Sequence, residues 1–166
     1  MRISTKNKSI ALFVIGLVSL AISAPSAVSA GATQADVDYT TKLSALTVEF
    51  SKVTTAWGTA IAKPPTFAVG SKWSKYKASA TSTSNAVLAT VAKMSALVPS
   101  AGFTTSGKLL KTTCAEYKTA ITALNNGIVK NDVKLINKAN PLVVKASNDY
   151  LAWTKAYTAD MTALNG

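Results

Sequence analysis

The chain has 166 residues, 18 of them Lys or Arg and 7 Asp or Glu, with no His, and carries a formal net charge of +11. With no histidine and one cysteine, Cys114, it has no ligand set for a zinc, copper or haem site of the usual kind. A nucleophile would lack its histidine base, and the scattered glycines form no phosphate-cradling loop, so no catalytic residue, metal or cofactor is expected.

Residues 1–30 have the three-part order of a secretory signal peptide. Arg2, Lys6 and Lys8 make a basic start, Ile10 to Ile22 an apolar centre, and Ala24 to Ala30 a small-residue cleavage region. The centre falls short of the roughly 20 residues that span a bilayer, and Pro25 follows it. Cleavage is expected after Ala30. That leaves residues 31–166 as a single secreted or cell-envelope-associated domain with no transmembrane anchor. One cysteine allows no internal disulfide, so packing must stabilise the domain, and Cys114 is expected to be a buried thiol.

The first expected helix spans 33–62, with apolar residues three and four apart at Tyr39, Leu43, Leu46, Phe50, Val53, Trp57 and Ala60. Thr33 and Asp36 read as a capping box, and Pro64 and Pro65 close the segment. A second helix is expected over 71–98, its stripe running from Trp73 and Tyr76 through Ala80, Thr83, Val87 and Thr90 to Met94 and Leu97. Ser71 is its expected cap. The run from Ala78 to Asn85 is poor helix material, because Ser, Thr and Asn compete for their own backbone, and fraying is expected there.

A third helix, 105–129, carries Leu110, Cys114, Tyr117, Ile121, Leu124 and Ile128, with its cap expected among Thr104 to Ser106. Gly127 threatens to end it early. The fourth, 132–164, starts at Asn131 and Asp132 and repeats from Ile136 through Tyr150, Trp153 and Tyr157 to Leu164. Pro141 is expected to kink or restart it. Four continuous apolar stripes joined by short connections predict an all-α, antiparallel up-and-down four-helix bundle.

Charge gives the functional expectation. Residues 31–166 hold 15 lysines, 7 acids and no Arg, and no acid lies between Glu49 and Glu116 while eight lysines do. Such a stretch makes a positive field that favours polyanions. The segment Lys72-Trp-Ser-Lys-Tyr-Lys77 interleaves cations with aromatics, and Lys72, Lys75, Lys77, Lys108 and Lys111 are the expected contacts. Without Arg there is no bidentate fork for phosphate or guanine, so specific nucleic-acid recognition is not expected. The partner expected is an anionic envelope polymer or a membrane surface. The alternative is a carrier whose Trp57, Trp73, Tyr76, Tyr150, Trp153 and Tyr157 line a cavity for a small apolar ligand. Glu49 and Glu116 lie one residue off their stripes and are expected as boundary ion-pairing groups, Glu49 with Lys52.

Overall fold

The computed structural model describes residues 31–65 and 69–165 of the protein. The signal-peptide segment, 1–30, lies outside the described residues. Four helices pack against each other: α1 (Gln34–Ile61), α2 (Gly70–Ser95), α3 (Thr104–Lys130) and α4 (Val133–Asn165), with a short 3-10 turn at Ala101–Phe103. Each boundary falls within three residues of that expected from the stripes.

The helix ends are fixed by identifiable groups. Thr33 caps α1 in the expected box: its hydroxyl accepts from the Asp36 amide, and the Asp36 carboxylate accepts from the Thr33 amide at 2.9 Å. Asn131 ends α3 in the left-handed conformation, φ 52°, with the Asp132 amide donating to the Gly127 carbonyl and the Asn131 amide to the Ile128 carbonyl. That pair of bonds satisfies the last carbonyls, so α3 passes through Gly127 rather than stopping there. Asp132 Oδ1 then accepts from the amides of Lys134 and Leu135, opening α4.

Four local expectations are corrected. The Ala78–Asn85 run is continuous helix, its Ala80 and Ser84 buried against the other helices; Thr83 Oγ1 folds back to the Ser79 carbonyl at 2.8 Å, and Thr81 Oγ1 donates across to Asn125 of α3. Ser71 does not cap α2, which follows Val69 with no side-chain cap. Nor does α3 cap itself. Its first turn is satisfied from another helix, by Asp160 of α4, whose Oδ2 accepts from the Ser106 amide at 3.0 Å. Pro141 sits inside α4, which runs unbroken around it.

The core is built largely from the expected stripes, with Ile61 and Phe103 added and Ser84 rather than Thr83 buried on α2. Leu43, Phe50, Trp57, Trp73, Val87, Leu110, Tyr117, Ile121, Ile136, Tyr150 and Trp153 are all buried. Full burial of one such side chain contributes about 1.5–3 kcal/mol. On α1, however, Thr40, Thr47 and Thr54 are buried, while Leu46 and Val53 are only partly so. These threonines repeat every seven residues. Each hydroxyl donates to a carbonyl of its own helix, to Val37, Ser44 and Phe50 respectively. With the hydroxyl thus satisfied, the methyl group can pack as a hydrophobe.

The seams between helices differ. Helices α3 and α4 share the most extensive contact. Gly127 permits it, since a Cβ there would sit 2.8 Å from Ile136 Cγ1 and 2.9 Å from the Ile136 amide nitrogen. Between α1 and α4, by contrast, no two Cα atoms come within 8 Å. Rings span that gap: Phe50 stacks on Tyr150 at 5.6 Å between centroids and meets Tyr117 edge-on at 5.1 Å.

Candidate functional site

One end of the assembly gathers the finish of α1, the start of α2, the finish of α3 and the start of α4. Three contacts place them together. Tyr76 donates its hydroxyl to the Ile61 carbonyl, Gly127 backs onto Ile136, and Thr81 donates to Asn125 Oδ1. The residues carried there by these four segments include Lys63, Lys72, Lys75, Lys77, Lys130, Lys134 and Lys138. All are exposed except Lys77, which is half-buried. Among the described residues the only acid at this end is Asp132, and its Oδ1 is committed to the backbone amides that open α4. Among the described residues none of these seven lysines makes an ion pair.

The remaining acids are placed and used elsewhere. Asp36 and Asp38 open α1, and Asp160 lies near the finish of α4. Glu49, Glu116 and Asp149 lie along the middle. Glu49 pairs with Lys93 of α2 at 2.8 Å and accepts from Thr90, not from Lys52 as expected. The Lys93 and Thr90 hydrogen bonds hold its carboxyl below the ordinary range. Glu116 pairs with Lys145 of α4 at 2.7 Å, and Lys145 also reaches Asp149 at 2.8 Å. Those two carboxylates raise the Lys145 ammonium above its usual value. Both glutamates therefore bridge helices.

Three of the five expected contact lysines, Lys72, Lys75 and Lys77, belong to the lysine-rich end. Lys108 and Lys111 do not. They are exposed on the first half of α3, about 30 and 25 Å along that helix from Ile128. Conversely, Lys63, Lys130, Lys134 and Lys138 were absent from the sequence-based set. Their signal was their position: Lys63 closes a helix, and Lys130 and Lys134 flank a two-residue turn, so each sits where helix ends meet.

A groove of about 520 Å³ leads from this end along the α2–α3 seam. Lys77, Ala78, Thr81, Ser82 and Asn85 of α2 and Val129 of α3 line it. The small side chains of the Ser- and Thr-rich run open it, since bulkier residues at those positions would fill the space. The surface of the groove is mostly apolar, with the hydroxyls of Thr81 and Ser82 and the Asn85 amide among its lining residues.

The aromatic side chains occupy the interior. Trp73 meets Tyr76 at 5.2 Å, Tyr150 meets Trp153 at 5.1 Å, and Trp153 meets Tyr157 at 6.1 Å between centroids. Cys114 is 3 % exposed, and burial pushes its thiol up to about 12, which keeps it protonated and unreactive at neutral pH. No helix among the described residues is long and apolar enough to cross a membrane, and no group of His, Cys, Asp or Glu among them is arranged to hold a metal. In comparisons with known proteins, no family model, no curated protein and no solved structure matches this chain.

Proposed function

We propose that this is an exported basic interaction protein that attaches electrostatically to anionic cell-envelope polymers or lipid headgroups through its lysine-rich end. In this reading the segment 1–30 is removed after Ala30, and the four helices run alternately up and down. The paired contacts along α3 and α4, Glu116 with Lys145 and Gly127 with Ile136, support that alternation. The observation that carries the function is the charge balance at one end: seven exposed or half-exposed lysines against one acid already committed to the backbone. Lysines without partners keep their full field, and a cluster of them raises the local concentration of a polyanion.

The carrier alternative draws less support, because the rings it needs for a cavity lining are packed on one another. The binding test uses residues 31–166 on an immobilised sulfated polysaccharide and on vesicles containing anionic phospholipid. Attachment is expected to weaken steeply as salt rises from about 0.1 to 1 M, where the screening length falls from about 10 to about 3 Å. Attachment indifferent to salt, or none to either surface, would overturn the proposal. Export has its own check: the secreted protein should begin at Gly31.

A further inference from the structure

Charged side chains are spread over most sides of the four helices, but among the described residues one face carries none. It lies along the seam between α1 and α4, where no two Cα atoms come within 8 Å. The contacts of each helix fix which flank is turned there. Glu49 marks the flank of α1 toward α2, so the opposite flank faces α4; by helical spacing it holds Ser44, Val48, Ser51 and Thr55. Lys145, paired with Glu116, marks the flank of α4 toward α3, and the opposite flank holds Val144, Ser147, Leu151 and Thr158. Followed in steps of three and four, the row from 37 to 58 on α1 and the row from 140 to 162 on α4 contain no Asp, Glu, Lys or Arg. Lys52 and Lys155 stand at its outer margins.

The face is also apolar where it is most exposed. Val48, Val144 and Leu151 are 64 %, 39 % and 37 % exposed, three of the seven large apolar residues exposed among the described residues. Val48 and Leu151 flank the ring contact of Phe50 with Tyr150, and Val144 lies less than two turns before Tyr150 on α4. None of the three belongs to the lysine-rich end or to the α2–α3 groove.

Charge selects the partner. Residues 31–166 hold 15 lysines and 7 acids, so two copies repel each other, and contact through lysine-bearing surfaces sets like charges against each other. The uncharged face is the approach that avoids this. A polyanion has nothing there to bind, whereas a second copy meets the same Ser, Thr, Val and Leu that it presents itself. Two helices side by side give about 20 Å of width, and the uncharged rows about 34 Å of length. That is roughly 700 Å² per copy, close to the ~800 Å² per partner of a standard interface.

We propose that this face pairs two copies of the chain, α1 and α4 of one against α1 and α4 of the other. The pairing covers the sides of the two helices and leaves the lysine-rich ends open, so it is independent of polyanion attachment.

Sedimentation equilibrium of residues 31–166 tests it. The expected result is a concentration-dependent dimer that tightens as salt rises from about 0.05 to about 0.5 M, because salt screens the repulsion between copies and leaves an uncharged contact intact. Polyanion attachment has the opposite salt dependence. Val48→Lys and Leu151→Lys change exposed positions on different helices, and each sets like charges at the contact. Each alone is expected to weaken the dimer at least about tenfold with helicity unchanged. Val98→Lys, at a residue 83 % exposed beyond the end of α2, is expected to leave it unaltered. A protein that stays monomeric up to about 1 mM at both salt concentrations would overturn the proposal. So would a dimer that loosens as salt rises, or one weakened as much by Val98→Lys as by Val48→Lys and Leu151→Lys.

Discussion

The two ends of this molecule use charge in opposite ways. At the end where α1 begins, two of the three carboxylates, Asp36 and Asp160, are consumed by the fold, and the third, Asp38, is exposed. Asp36 accepts from the amide and hydroxyl of Thr33 and from Ser100 Oγ at 2.6 Å, and Asp160 caps α3 from another helix. At the end where α2 and α4 begin, seven lysines make no ion pair among the described residues and the single acid serves the backbone. Buried charge is tolerated only where hydrogen bonds replace water, so these two acids became structural. Exposed lysines need no partner to remain soluble, so theirs is the charge left for another molecule.

That contrast can be broken at the structural end first. Asp36→Ala removes the α1 cap and the tether to the α2–α3 connection at Ser100, and is expected to cost about 2–4 kcal/mol in urea unfolding. The same carboxyl gives a pH signature. Its hydrogen bonds, from Ser100 first and then Thr33, hold its pKa down to about 2, against 3.8 ordinarily. A group with a depressed folded-state pKa stabilises above its unfolded value and loses that contribution as pH falls through the folded one. The parent should therefore lose stability between pH 4 and 2, and Asp36→Asn should lose markedly less over that window.

Next in size is the α3–α4 seam. Gly127→Ala drives a methyl group into Ile136 and is expected to cost about 1–3 kcal/mol. Gly58→Ala is its control. No atom lies within 4 Å of a Cβ at that position, and the substitution should raise stability by up to about 1 kcal/mol through helix propensity. Smallest of all, Lys93→Met breaks an ion pair whose side chains are 56 % and 38 % exposed, and its melting temperature should barely move. A large loss there would mean that surface charge, too, is structural, and the contrast between the ends would dissolve.

The helices were legible in sequence because apolar residues recur at helical spacing, most cleanly at Leu110, Cys114, Tyr117, Ile121, Leu124 and Ile128 on α3 and least so on α2, where Thr83 and Thr90 interrupt the stripe. What escaped was of two kinds. Thr40, Thr47 and Thr54 read as polar, and only the structure shows their hydroxyls satisfied within the helix and their methyl groups inside. The rest is tertiary: Glu49 found Lys93 rather than Lys52, and the cap of α3 came from Asp160, which is 54 residues away. Local spacing carries no information about such partners. The lysine-rich end shows both limits at once. Lys72, Lys75 and Lys77 stand out as a run, whereas Lys63, Lys130, Lys134 and Lys138 come from separate segments that only folding joins.

The most direct test compares two sets of lysine-to-glutamine variants on the same sulfated polysaccharide, across a salt series. One set neutralises Lys72, Lys75, Lys130 and Lys134; the other neutralises Lys108 and Lys111 together with Lys118 and Lys155. The first set should lose most of its retention and flatten the salt dependence, with helicity by circular dichroism unchanged. The second should behave nearly as the parent. Equal losses from both sets would show attraction by net charge alone and contradict a dedicated cationic end.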